Sequence, residues 1–481
     1  MGSSFEIKEA NAQALAYVRK ESLDIFNRLH SVQEDVRFVD QVREAYPKLP
    51  ILPNLRCGAW YVDPAIATPE PAYYKSTDGH FGNWNFNLRR PNLHLLPYII
   101  AKHGIVLVDS TRAGKRIPDA LSKTVPIWCA VLNRAMLIAH SKTKDWDVEL
   151  YCPPGTVSEQ ERSQIVLLLD GWAQALVKSA YALPDIPLPL RPLWINPATS
   201  VFPRLPTPEN ANYLPIVCVS ASKQVHEGVE RRLHGFSYVQ GSGDDHELWG
   251  MGLTPQLFWK HKDTLLNTLR EELPEAVQEI VERSKIRRQR DAWKTLPTPV
   301  KVTNGRLYVG NASTMPMDVP NTLPEVDGPV SFIVVSATAH VPRTDTPEAE
   351  RVNGIKTLPD QHVLWLKLAE GKKDQLAFLQ QVLPASTCFI EKRLQRGDTV
   401  CVCCDSGKDA SVGVALAALQ LFFDDQGQLL EHGAAASAAS KESIRTRLQW
   451  IISSRPEANP SRVTLKRVNE FLLSSPSFRR R

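Results

Sequence analysis

The sequence predicts an α/β protein, on the strength of three stretches. Gly104-Ile-Val-Leu-Val-Asp109, Leu214-Pro-Ile-Val-Cys-Val-Ser220 and Thr399-Val-Cys-Val-Cys-Cys404 are continuous apolar, β-branched runs of the kind buried in parallel sheets. The first and last each run through Asp-Ser and a Gly-Lys loop into a helical pattern, the order of a strand feeding a helix N-terminus. At 481 residues the chain has room for more than one sizeable core. Its 43% hydrophobic and 23% charged fractions are those of a globular protein. A net charge of +5 restricts any nucleic-acid surface to a local patch.

In chain order, Leu15, Val18, Ile25, Leu29, Val32, Val36 and Val39 recur at helical spacing over residues 7–46, before Pro47 and Pro50. They predict one or two amphipathic helices whose apolar stripe packs in a core. Asn54–Pro97 reads as irregular and aromatic. Within it, His80, Trp84, Arg89 and Arg90 interleave rings and guanidinium groups, an RNA-type composition, although a polar loop with buried aromatics has the same residues. The loop after Asp109 carries Ser110, Thr111, Arg112, Lys115 and Arg116, with Pro118 suited to a first helical turn. Hydroxyls, Gly and three cations at a strand-to-helix turn suit a phosphate; a basic surface turn is the alternative.

The pattern over Thr124–Ile138 fits helix or strand. Ser158-Glu-Gln-Glu161 predicts a capping box and a helix to about Tyr181. Eight prolines between Pro184 and Pro208 predict an extended, stiff connector, where the N-terminal region could be subdivided over residues 183–208. After Leu214–Ser220, Gly241-Ser-Gly243 leads into Asp244, Asp245, His246 and Glu247. This group could hold Mg²⁺ through Asp244 and Asp245 or supply a general base, or could be a solvated acidic loop. Residues 261–294 predict a charged helix, broken near Pro274 and ending in the basic run Lys285–Arg290. A hairpin-like piece flanked by Pro297–Pro299 and Asn311–Pro329 marks the boundary between an N-terminal region, 1–310, and a second domain, 325–481. Strands are expected at Phe332–Ser336 and Val363–Leu368, and a disordered tail at Arg479–Arg481.

Eight cysteines without a signal peptide suit a reducing compartment such as the cytoplasm, and no run is long and apolar enough for a membrane span. Cys401, Cys403 and Cys404 alternate faces along one strand with no second pair at finger spacing, so zinc is not expected.

Cys388–Asp398, the loop after Cys404 and Arg455-Pro456-Glu-Ala-Asn459-Pro460 resemble a dual-specificity phosphatase domain. That family's loop reads His-Cys-x-x-Gly-x-x-Arg-Ser; Cys404, Gly407 and Ser411 match it, but Cys403 replaces the His and Ala410 replaces the Arg. Without the bidentate guanidinium the loop keeps a phosphate cradle, formed by Ser406, Gly407, Lys408, Asp409 and Ser411, and loses the phosphatase machinery. Together with Gly79–His94, Val108–Arg134 and Gly241–Trp249, this loop makes the chain similar to the fungal and plant initiator-tRNA phosphoribosyl transferase family. The resemblance implies an N-terminal α/β region of its own type joined to a phosphatase-like α/β domain. It implies transfer of 5-phosphoribosyl from 5-phosphoribosyl 1-diphosphate to the 2′-hydroxyl of T-stem adenosine 64 of initiator tRNA, which excludes that tRNA from elongation. The chemistry would use Mg²⁺, a base from among Asp109, Asp244, Asp245, His246 and Glu247, and the two cradles on the donor's two phosphate ends. It calls for no membrane and no obligate protein partner. A non-catalytic RNA- or phosphate-binding protein built on an inactive phosphatase domain is the alternative.

Overall fold

The computed structural model describes residues 4–474 apart from 56, 113, 141, 143–144, 226–228, 234, 287–292, 317, 339–349, 353–354, 358–361, 370–373 and 432–437. Arg287–Arg290 of the basic run and the tail Arg479–Arg481 lie outside the described residues. The chain packs as two units: Met1–Lys178 with Ala182–Lys285, and Ser179–Tyr181 with Ile286–Arg481.

The first unit opens with α1 (Ser4–Leu23) and α2 (Ile25–Ala45), separated at Asp24, whose carboxylate caps the second helix by accepting from Asn27 N at 2.9 Å. Its sheet is wholly parallel, in the order β1 (Ile51–Pro53), β2 (Ile105–Asp109), β4 (Leu214–Ser220), β3 (Leu190–Ile195). Helices α3 (Leu96–Lys102), α4 (Val125–His140) and α5 (Glu159–Val177) form the connections within it. A small hairpin, β5 (Val229–Arg231) with β6 (Ser237–Val239), and helices α6 (Pro255–Lys260), α7 (Lys262–Asn267) and α8 (Leu273–Ile286) follow. Val106, Val108, Val217, Val219 and Ile195 face one side and pack with Leu29, Val32 and Val36 of α2 and with Phe258, Leu265 and Val277. Their alternates face α4, where the Asn133 side chain bonds both Leu190 N (2.8 Å) and Leu190 O (2.9 Å) at the start of β3. Cover on both faces is why these strands read as unbroken apolar runs.

In the first unit the structure resolves one ambiguity and departs from expectation twice. The ambiguous stretch is helical, α4, entered through a buried five-residue π turn, Ala120–Thr124. The proline-rich connector supplies the edge strand β3 of the same sheet; Pro192, which lacks an N–H, is tolerated there because an edge strand has an unpaired side. The capping box is only half formed. Ser158 accepts from Glu161 N at 3.1 Å, but the Glu161 carboxylate turns to Trp84 and Lys123, a buried cation being the stronger partner.

The second unit contains β7 (Thr298–Pro299), β8 (Leu307–Asn311), β9 (Val330–Ser336), the pair β10 (Glu350–Val352) and β11 (Ile355–Thr357), and β12 (Val363–Lys367). Then come α9 (Gln375–Ala377), α10 (Leu383–Gln395), β13 (Thr399–Cys404), α11 (Ala410–Phe422), α12 (Lys441–Ser454) and α13 (Arg462–Leu473). Its sheet runs β12-β9-β13-β8-β7, parallel except for the β7–β8 hairpin. That hairpin, expected to mark the boundary between the two regions, joins this sheet because β8 pairs along its length with β13, from Leu307↔Val400 to Asn311↔Cys404.

Candidate active site

The site of the first unit lies at the carboxyl ends of β2 and β4, where open α/β sheets bind ligands. Asp109 closes β2 but points inward. Its carboxylate accepts from Asn54 Nδ2 at 2.8 Å, Cys57 Sγ at 2.9 Å and Ser110 N at 2.9 Å, so it holds the Asn54–Cys57 turn and leaves the set of candidate bases. Ser110 is also buried, and its Oγ lies 2.6 Å from Ser222 Oγ, in the loop after β4. Ser222 Oγ donates to Asp35 Oδ2 of α2 at 2.5 Å, and Tyr238 OH donates to Asp35 Oδ1 at 2.7 Å. Burial pushes the Asp35 carboxyl well above the usual carboxylate range, against the lowering effect of those two bonds. Ser110 was expected to offer its hydroxyl to phosphate; the structure spends it on this network instead.

The exposed face is made by two loops in contact. Gly241 has φ +69°, and a Cβ there would lie 2.5 Å from Thr111 O, so the acidic loop can seat against Thr111–Arg112 only with glycine at this position. Gly241→Ala is expected to cost about 1–3 kcal/mol of stability, seen as a lower urea midpoint, and to weaken activity. Gln240 Nε2 donates to Arg112 O at 3.1 Å and to Lys115 O at 2.7 Å, holding the cationic loop in shape. Arg112, with 68% of its side chain exposed, reaches back to Asp245 Oδ2 at 2.7 Å and Asp244 Oδ2 at 3.5 Å. Beneath them Arg28 donates to Ser242 O at 3.3 Å and lies over the Trp249 ring. Burial pushes the Arg28 guanidinium down to about 10, against the pull of Tyr61, Asp244 and Asp245. Asp244 is buried, Asp245 and His246 are half-buried, and Glu247 is exposed. Asp245 sits at φ 48°, a left-handed conformation that Asp tolerates better than most residues.

Lys115 pairs with Asp119 Oδ2 at 2.5 Å, and Arg116 Nε donates to Gln224 Oε1 at 3.4 Å. The helix beyond begins in the buried π turn, so side-chain cations rather than free helix amides face the solvent here. Asp119 also binds Lys123 at 3.2 Å and lies 3.6 Å from His80 Nε2, while Lys123 bridges on to Glu161 at 3.0 Å. Trp84 Nε1 donates to the same Glu161 at 3.0 Å. The aromatic stretch is thereby pinned to the cationic loop. Its proposed RNA contacts separate: His80 is half exposed, Trp84 and Arg89 are partly covered, and Arg90 is committed, 7% exposed and bonded to Asp78 at 2.8 Å. Arg90 therefore shapes the loop; an ion pair this covered has no side left for a phosphate.

Among the described residues no three His, Cys, Asp or Glu side chains gather to hold a metal by themselves. Mg²⁺ takes one or two carboxylates and completes its shell with water and substrate phosphate, and the adjacent Asp244 and Asp245 fit that arrangement.

In the second unit the loop from Asp405 to Asp409 joins β13 to α11. Cys404 is buried with Sγ 3.1 Å from Ser411 Oγ and 3.8 Å from Ser406 Oγ. Gly407, at φ +67°, packs so closely that a Cβ would meet Gly310 O at 2.9 Å. Buried Arg455 donates to Gly407 O at 2.9 Å and Thr298 Oγ1 at 2.8 Å and pairs with Glu457 at 2.6 Å. It braces the loop from behind and does not stand in for the guanidinium missing at Ala410. Lys408 Nζ is half exposed, 3.9 Å from Glu457. Asp409 accepts from Ser461 N at 2.9 Å, a bond that sets the start of α13 and takes this residue out of the phosphate set.

Two family models match the chain, one described as the Rit1 N-terminal domain over residues 18–282 and one as the Rit1 DUSP-like domain over residues 362–472. The chain belongs to the Rit1 family. Along 95% of its length it is 33% identical to the tRNA A64-2'-O-ribosylphosphate transferase of Saccharomyces cerevisiae, covering 93% of that protein. It is 34% identical to an uncharacterised protein of Schizosaccharomyces pombe, over 93% of this chain and 94% of the other. Among solved structures, the Yvh1 phosphatase domain of Chaetomium thermophilum is 17% identical, covering 37% of this chain and 100% of that one, with a TM-score of 0.22. The human tyrosine phosphatase-like serine/threonine/tyrosine-interacting protein is 18% identical, over 35% of this chain and 92% of that one, at a TM-score of 0.22. Scores this low carry no structural argument.

For this Rit1 family member, sequence reasoning missed Arg28, Asp35, Tyr61, Ser222 and Tyr238. One signal was present. Asn27, Ser31 and Asp35 recur every four residues on α2, and all three are buried. Asn27 Oδ1 accepts from Ser237 N at 2.9 Å and Ser31 Oγ from Val239 N at 2.8 Å, so this polar stripe caps the free edge of β6.

Proposed function

We propose that this chain transfers a 5-phosphoribosyl group from 5-phosphoribosyl 1-diphosphate to the 2′-hydroxyl of adenosine 64 in the T stem of initiator tRNA, releasing diphosphate. The observation that carries this reading is the likeness to the yeast transferase along 95% of the chain. The site supports it with an exposed cationic loop set directly against an acidic one.

Arg112, Lys115 and Arg116 would exchange their present partners for oxygens of the donor's diphosphate and take up charge as it leaves. The C1–O bond to diphosphate breaks as the bond from the 2′-oxygen to C1 forms, through an oxocarbenium-like state. The 2′-hydroxyl proton passes to Asp245, His246 or Glu247, the acidic-loop members that reach solvent. Asp244 and Asp245 would hold Mg²⁺, which when bound would add positive charge at the leaving phosphates. Ser406, Lys408 and Ser411 of the second unit would hold a tRNA phosphate. Lys408→Ala is then expected to raise the tRNA KM, and an unchanged tRNA KM in the folded variant would remove this loop from the tRNA site.

Incubation with labelled donor should put label into initiator tRNA, blocked by a 2′-deoxy substitution at adenosine 64. Binding of that tRNA without transfer would establish instead the non-catalytic RNA-binding reading, which Ala410 in the place of the phosphatase Arg favours. The full-length protein is expected to hydrolyse no phosphoester above background. Hydrolysis that disappears in Cys404→Ser would overturn that expectation.

A further inference from the structure

We infer that a closed ring of hydrogen bonds and backbone centred on Asp35 is the device that sets the cationic and acidic loops against each other, with Asp35 as its positioning residue. The inference rests on the transfer reading above. From Asp35 the ring runs through Ser222 Oγ at 2.5 Å to Ser110 Oγ at 2.6 Å, the residue that opens the cationic loop. From Ser110 the backbone continues to Arg112, whose carbonyl oxygen accepts from Gln240 Nε2 at 3.1 Å. The backbone then returns from Gln240 to Tyr238, whose hydroxyl closes on Asp35 at 2.7 Å.

Three features separate this ring from ordinary core packing. Ser110 opens the loop that carries Arg112, Tyr238 and Gln240 lead into the loop that carries Asp244 and Asp245, and Asp35 on α2 supplies the ring's carboxylate. Its links span the chain, with Asp35 187 residues from Ser222 and 203 from Tyr238, so no local turn could set the same spacing. A buried carboxylate costs several kcal/mol of desolvation, and an apolar residue would hold a core as well. What an apolar residue cannot do is hold two hydroxyls, one from the loop after β4 and one from β6, at one fixed separation. Arg112 is the lever on which that separation acts, because it belongs to one loop and bonds the carboxylates of the other.

The test is the double variant Ser222→Ala with Tyr238→Phe, which keeps both shapes and strips Asp35 of both hydroxyls; Ser222→Ala alone serves if the double variant does not fold. The donor KM is expected to rise about 10-fold to 100-fold with the tRNA KM unchanged, the size of effect that a misplaced reacting group produces. Inorganic diphosphate binding, followed by calorimetry on the full chain, should weaken in parallel. A purely structural role predicts a lower melting temperature with both KM values at wild type, and that result would overturn the inference. Calorimetry keeps it distinct from the transfer reading. If wild-type protein binds diphosphate but transfers nothing, the transfer reading fails while the ring remains testable through binding. If variant and wild type bind diphosphate equally, the ring fails alone.

Discussion

Arg112→Ala is expected to lower kcat/KM for the donor by about 10²–10³, or roughly 3–4 kcal/mol of transition-state stabilisation, the range for removing one preorganised donor from a developing anion. Arg112 is more exposed than Lys115 of the same loop, and it bonds the acidic loop through Asp244 and Asp245. Its loss removes positive charge where the diphosphate would depart and also takes from Asp244 and Asp245 their ion pairs with it, leaving them the pull of buried Arg28. The second effect distinguishes it from Lys115, whose partner Asp119 keeps a second cation in Lys123. Arg112→Lys should recover only part of the loss, since an ammonium lacks the planar, fixed fork with which a guanidinium meets carboxylate and phosphate oxygens. The check is initial-rate kinetics over a donor series at saturating tRNA. Wild-type kcat/KM in a folded Arg112→Ala protein would remove the cationic loop from the donor site.

Asp245→Asn is expected to lower kcat by about 10²–10⁴, the span of general-base contributions, with a smaller change in donor KM. Asp244 is buried and can orient, whereas Asp245 is half-buried and held in the left-handed region against the Arg112 guanidinium. If Asp245 works through Mg²⁺, the variant should also need more Mg²⁺ for half-maximal rate, while a pure base should leave the Mg²⁺ dependence alone. Kinetics at several Mg²⁺ concentrations separate these roles. A variant indistinguishable from wild type in both would return the base to His246 or Glu247.

Much of the fold was legible because its signals are local. Leu214–Ser220 is a strand with the bounds its apolar run implies, and the stripe packs in the core from Ile25 to Val39, whereas Leu15, expected in it, is exposed. The proline-rich stretch misled for a physical reason. Proline forbids a helix and a central strand alike, but it does not forbid an edge, and only the partner strand β4 shows that Leu190–Ile195 is one. Ser158–Glu161 misled similarly: the motif promises a reciprocal cap, and a buried lysine 38 residues away took the carboxylate.

The candidate site divides along the same line. Arg112, Lys115, Asp244 and Asp245 could be named from loop composition, since charge beside glycine at a strand end is a short-range pattern. Asp35, Ser222 and Tyr238 could not, because a polar residue on a helix looks solvated until the group that buries it is known. By itself, then, the sequence determined an α/β chain of the Rit1 family with two loops suited to phosphate. Only the tertiary structure decided which polar side chains reach solvent at the candidate site and which, like Asp109, Ser110 and Arg90, are used up in holding the loops. Periodicity follows from the backbone, residue by residue. A hydrogen bond between groups far apart in the chain exists only once the strands between them have been stacked.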